Sequence, residues 1–262
     1  MVINVLIAED SAYQRKLIAD MISESSEIRV IYKARDGKEA IQKVEEYQPD
    51  VLLLDLIMPK MDGLTAFKKI KEKYSLPTII FSVIDPRTID KSMQALLMGA
   101  FDYIIKPGGI WKVELPKFKD QLITKILLAN RSRQIRDSST SDLKSLDQIS
   151  ERAPKHKSSI IVIGTSTGGP KTLKTILKNL SADFPIPILI VQHMDEFFMH
   201  SLAKSLDDIC PLRVKIPRKN EMITSGNIYL APGNKHMKVF LKSHIPCIRL
   251  EDGEEVNFCK PS

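Results

Sequence analysis

"IIVIGTSTGGP", residues 160–170, runs from an apolar strand into small hydroxyl residues, two glycines and a proline. A buried strand that passes through such a turn into a helix, here Pro170 to Leu180, is one unit of an α/β fold. Two chemistries suit the turn. Backbone N–H groups at a helix start can cradle a phosphate, and the same turn can present Ser166 as a nucleophile. The stretch lacks the lysine of a P-loop and the first spacing of the dinucleotide fingerprint. Gly164-Thr165-Ser166-Thr167-Gly168 matches G-x-S-x-G, a short pattern that recurs by chance. On this stretch alone both readings stay open.

The next strand shifts the balance. "PILIVQH" (187–193) brings His193 to the carboxyl end of a neighbouring strand, on the sheet edge that carries Ser166. A serine and a histidine so placed form a nucleophile–base pair. Asp183 is the sole carboxylate between them and falls in a loop, whereas α/β-hydrolases place their acid between serine and histidine. That fold is therefore disfavoured.

Toward the N-terminus, "VINVLIA" (2–8), "IRVIYKA" (28–34), "DVLLLD" (50–55), "TIIFS" (78–82) and "DYII" (102–105) are short β-rich runs. Helix-period segments such as Tyr13 to Ile22 and Lys38 to Tyr47 separate them. Strict alternation predicts a parallel sheet covered by helices on both faces, with its ligand site beyond the carboxyl ends of the strands. Those ends carry Glu9 and Asp10, Asp55, Ser82, and Lys106 followed by Pro107. Carboxylates gathered on one edge call for a hard cation with open water positions, which suits Mg²⁺. Lys106 and Ser82 would then surround an anion built on Asp55, as phosphoryl transfer to a carboxylate requires.

Between the two halves, "NRSRQIRDSSTSDLKSLDQISERAPKHKSS" (130–159) is polar and poor in large apolar residues. It reads as an interdomain linker whose early part continues the last helix of the first domain. The expected division is a domain over 1–125, a linker over 126–158 and a second domain over 159–262.

Composition narrows the class. The chain has 262 residues, enough for two cores, with 43% hydrophobic and 27% charged residues. The net charge of +7, from 39 basic and 32 acidic residues, is read as a soluble surface. Arg131, Arg133 and Arg136 form no long basic run with interleaved aromatics, so no nucleic-acid partner is expected. Cys210, Cys247 and Cys259 are odd in number and lack metal-ligand spacing, the pattern of free thiols in a reducing compartment. Glu9 and Asp10 interrupt the first apolar run, and no segment is long enough to insert in a membrane. A cytoplasmic protein is expected.

The first half resembles the response-regulator receiver family on Glu9-Asp10, Asp55 with "MPKMDG", Ser82 and Lys106-Pro107. That resemblance implies a flavodoxin-like receiver, a doubly wound parallel sheet, with Asp55 as phosphoacceptor and a chemotaxis histidine kinase as donor. It implies Mg²⁺ held by Glu9, Asp10, Asp55 and the carbonyl of Ile57. Ser82 and Lys106 would contact the phosphoryl group, and Tyr103 would be the aromatic that reorients on activation.

The whole pattern, with "GTSTGG", "QHM" (192–194), "APGNKHM" (231–237) and "NFCKPS" (257–262), resembles the chemotaxis protein-glutamate methylesterase family, CheB. The resemblance implies a second doubly wound α/β domain, with Ser166 as nucleophile, His193 as general base and no metal at the esterase site. Its reactions would be hydrolysis of glutamate methyl esters and deamidation of glutamines on methyl-accepting chemoreceptors, giving sensory adaptation. The family's triad aspartate lies in a Gly-rich loop beyond the position of Ser262. By that comparison the methylesterase domain is C-terminally incomplete here, and neither Asp195 nor Asp252 takes the aspartate's place. The competing reading is a phosphoryl-responsive regulator that binds receptor or kinase without hydrolysis.

Overall fold

The computed structural model describes residues 2–107, 111–138, 160–256 and 260–261, with side chains throughout except at 82, 111–114 and 136–138. Most of the segment read as a linker, and much of "NFCKPS", lie outside the described residues. The chain divides into two compact units, Met1–Arg152 and Ala153–Ser262.

In the first unit, β1 (Ile3–Ala8), β2 (Ile28–Ala34), β3 (Val51–Asp55), β4 (Thr78–Ser82) and β5 (Asp102–Ile105) alternate with α1 (Ala12–Ser23), α2 (Gly37–Tyr47), α3 (Gly63–Lys73), α4 (Pro86–Met98) and α5 (Trp111–Ser138). The sheet order is β2-β1-β3-β4-β5 and every pairing is parallel. This is the flavodoxin-like order, whose switch point lies between β1 and β3. All of β3 is buried, as a central strand covered on both faces must be. Ser11, Asp36, Asp62 and Asp85 each cap the following helix with a side-chain oxygen, which fixes where the strand-end loops stop.

α5 runs past residue 125. Ile126 and Ala129 are fully buried in the same core as Phe118 and Leu122. The Arg133 guanidinium donates to the Pro49 carbonyl and to Asp50, ahead of β3. The packing of this unit therefore extends beyond the boundary expected at 125, because the apolar stripe of the helix continues beneath a polar surface.

In the second unit, β6 (Ile161–Thr165), α6 (Gly169–Leu177), β7 (Ile188–Gln192), α7 (Glu196–Asp207), β8 (Arg213–Lys215), β9 (Glu221–Met222), β10 (Asn227–Leu230), β11 (His236–Lys242) and β12 (Ile245–Glu251) follow in order. A parallel sheet runs β6-β7-β10-β8. α6 and α7 pack on each other and bury Leu173, Leu177, Phe198, Met199, Leu202 and Leu206. Leu189 and Tyr229 alternate to the other face, where they meet Ile223, just after β9, and Ile248 of β12 in an antiparallel β11-β12-β9 sheet. The sequence reading did not anticipate this small sheet. The Tyr229 hydroxyl donates to the Met222 carbonyl and accepts from the Thr224 N–H, so its burial is satisfied.

Candidate functional site

Each unit carries its chemistry-bearing residues at the carboxyl edge of a parallel sheet. In the first, Glu9 and Asp10 follow β1, Asp55 ends β3 and Lys106 follows β5. Glu9 and Asp55 are buried and Asp10 is exposed, yet one oxygen from each lies within 4.8 Å of the others. The Lys106 ammonium is buried between two of them, donating to Asp55 Oδ2 at 2.6 Å and to Glu9 Oε2 at 2.7 Å. The Ile57 N–H donates to Asp55 Oδ1 at 3.0 Å, which fixes the carboxylate while its other oxygen meets the lysine. Arg15 donates to the carbonyls of Glu9 and Asp10 and steadies the loop that presents them.

Burial pushes the Glu9 carboxyl up to about 7 against the opposing pull of Lys106, and the Asp55 charge adds to the rise. For Lys106, burial alone would lower the pKa. The charges of Asp55 and Glu9 outweigh it and hold the ammonium above the usual lysine value. Three hard oxygens converge here, two on a buried floor and one toward solvent. That donor set fits Mg²⁺.

Ser82 ends β4 opposite Ile105, at the expected edge, and its side chain is not described. Tyr103 is buried on β5, with the Lys125 ammonium 5.6 Å from its ring centroid. Lys125 also pairs with Asp102, tying α5 to β5 beside that ring.

In the second unit, β6 and β7 are adjacent and parallel, with Thr165 paired to Gln192. The last backbone link is the His193 N–H to the Thr165 carbonyl, at 3.0 Å. Ser166 and His193 thus stand one residue beyond the paired ends of neighbouring strands. Both are exposed, and the serine hydroxyl and the imidazole are not hydrogen-bonded to each other.

The turn after β6 depends on its two glycines for different reasons. Gly168 has φ +76°, the left-handed region open to glycine. Gly169 would bring a Cβ within 1.8 Å of Gln192 Oε1. Gly164 has nothing within 4 Å of a built Cβ, and Ser166 is not among the positive-φ residues. The G-x-S-x-G match is therefore not a strained nucleophile elbow, in agreement with the case against an α/β-hydrolase.

Gln192, buried at 1% exposure, lies at the centre of this edge. Its Nε2 donates to the Ser166 carbonyl at 2.9 Å and to the His193 carbonyl at 3.2 Å, and its Oε1 accepts from Thr165 Oγ1 at 2.7 Å. The residue lies within the "QHM" motif, whose sequence alone assigns it no role. The available signal was a polar residue closing an apolar strand just before a histidine. The "APGNKHM" loop reaches the same edge: the Ala231 N–H bonds the Ile190 carbonyl, and Asn234 bonds Glu196. His236 is buried there with Nε2 2.8 Å from the Glu254 carbonyl, and Asp252 pairs with Lys235.

Residues 5–114 match the response regulator receiver domain family, and residues 161–262 match the CheB methylesterase family. A protein-glutamate methylesterase/protein-glutamine glutaminase of Oceanobacillus iheyensis is 37% identical over 241 residues, covering 90% of this chain and 68% of that protein. The protein of the same name from Archaeoglobus fulgidus is 37% identical over 261 residues, covering 98% of this chain and 74% of that one. The Bacillus subtilis one is 35% identical over 268 residues, covering 99% and 75%. Two family domains in one order, with relatives matched along nearly the whole chain, leave a single assignment: the chain belongs to the protein-glutamate methylesterase/protein-glutamine glutaminase family, with a receiver domain preceding a CheB methylesterase domain.

Proposed function

We propose that this protein is a cytoplasmic, phosphorylation-regulated hydrolase that removes methyl groups from glutamate esters and amide nitrogen from glutamines on chemoreceptors, and so serves sensory adaptation. The observation that carries this reading is the position of Ser166 and His193, each one residue past the paired ends of adjacent parallel strands. In the proposed reaction, Ser166 Oγ attacks the ester or amide carbonyl carbon as His193 takes its proton. The tetrahedral oxyanion collapses, the C–O or C–N bond breaks, and His193 returns the proton to the departing methanol or ammonia. Water then attacks the acyl-serine with the same base, releasing glutamate and free Ser166. The Gly169 N–H already bonds the Ser166 carbonyl, so the oxyanion takes its donors from other groups on this edge.

In the receiver, Asp55 is the proposed phosphoacceptor and a chemotaxis histidine kinase the donor. Glu9, Asp10, Asp55 and the Ile57 carbonyl would hold Mg²⁺, which when bound neutralises charge on the phosphoryl oxygens. Asp55 presents its carboxylate to the incoming phosphorus. Lys106 holds a fixed positive charge beside it and, with Ser82, contacts the transferred group. Tyr103 is the proposed switch aromatic. The testing experiment is acid quench of the protein with methylated receptor, followed by peptide mass analysis. An acyl adduct on the Ser166 peptide is expected, with none in Ser166→Ala. An adduct elsewhere, or one that survives that substitution, contradicts the reading.

A further inference from the structure

We infer that Gln192 is a positioning residue that sets Ser166 and His193 in mutual register for hydrolysis, a role that rests on the nucleophile–base reading above. Backbone pairing between β6 and β7 ends at the His193 N–H, so nothing in the ladder itself holds the residues beyond it. The Gln192 side chain continues the connection. Its two N–H donors reach the carbonyls of Ser166 and His193, one on each strand extension. A single planar amide thereby fixes the distance between the two peptide units that carry the nucleophile and the base.

The amide orientation is itself determined. Thr165 Oγ1 donates to Oε1, and the reversed amide would aim an oxygen at two carbonyl oxygens. The Ser166 carbonyl also accepts from the Gly169 N–H at 2.9 Å, so both of its lone pairs are engaged. The side chain is buried, and Gly169 is kept bare beside Oε1. A buried amide with both donors and its acceptor satisfied is rigid, which a positioning group requires. Displacing a reacting group by about 1 Å can cost on the order of a hundredfold in rate.

The test uses the full chain and a fluorophosphonate reagent, which bonds phosphorus to the serine oxygen with loss of fluoride as His193 takes the proton. Intact mass follows the labelling, with thermal unfolding and Asp55 phosphorylation as controls on folding. Gln192→Met keeps length and removes the amide. It is expected to lower the maximal labelling rate about tenfold to a hundredfold, with the half-saturating reagent concentration within about twofold. Thr165→Val, which removes the hydroxyl that fixes the amide orientation, is expected to give a smaller loss, about threefold to tenfold, and it decides the matter if Gln192→Met does not fold. Wild-type maximal rates in both variants, or a loss confined to half-saturation, overturn the role of Gln192 while leaving Ser166 as nucleophile. Labelling that persists in Ser166→Ala overturns the nucleophile and this role with it.

Discussion

The Lys106 ammonium nitrogen lies 2.6 Å from Asp55 Oδ2, across the gap between the ends of β5 and β3. The same nitrogen holds Glu9, so one buried cation keeps two buried carboxylates from repelling each other. Lys106→Met should leave both acids uncompensated and cost about 3–5 kcal/mol of receiver stability without Mg²⁺. Added Mg²⁺ should restore much of it. Urea unfolding with and without the ion checks this, and equal stability of variant and wild type would contradict it.

Glu9 gives the receiver a pH signature. Its carboxyl rises from 4.5 to about 7, chiefly through burial, so the folded state holds that proton more tightly than the unfolded chain does. The stability it contributes is complete below 4.5 and is lost as pH rises to about 7. A cation needs the ionised form. Mg²⁺ affinity measured by calorimetry should therefore climb as pH rises through that range and level off above it, and Glu9→Gln should flatten the climb.

Three glycines of one motif should respond differently to alanine. Gly164→Ala meets open space within a strand and should be neutral or stabilising, by up to about 1 kcal/mol. Gly168→Ala forces a side chain into φ +76° and should cost about 1–2 kcal/mol. Gly169→Ala drives a methyl into Gln192 Oε1, and should be the most damaging to both stability and Ser166 reactivity. Denaturant midpoints of the three variants give the order.

The length of the receiver follows from α5. A fragment ending at residue 125 loses Ile126, Ala129 and the Arg133 bonds to Pro49 and Asp50. It should be less stable than the fragment ending at residue 138 by about 2–4 kcal/mol, mostly from the exposed core left behind. Thermal unfolding of the two fragments measures the difference.

The receiver edge was legible in the sequence because apolar runs mark parallel strands, and Glu9, Asp10, Asp55 and Lys106 stand where those runs stop. Ser166 and His193 were legible on the same ground. The reach of α5 was legible only in part: the helix was expected to continue into the polar segment, and "ILLA" (126–129) is an apolar run, but the packing of Ile126 and Ala129 in the receiver core belongs to tertiary structure. The β11–β12 hairpin left a trace in its alternation about Ser243 and His244, both at positive φ, but its packing on Leu189 and Tyr229 belongs to tertiary structure. Gln192 could be seen as a residue and not as a bridge. Its partners sit on two strands that only the folded sheet brings side by side.

The central claim is that Ser166 carries the hydrolysis, and methanol release from methylated receptor by the protein and its Ser166→Ala variant tests it most directly. The account predicts methanol release from the unaltered protein and a fall to the uncatalysed background in the variant. Equal release from the two proteins would contradict it.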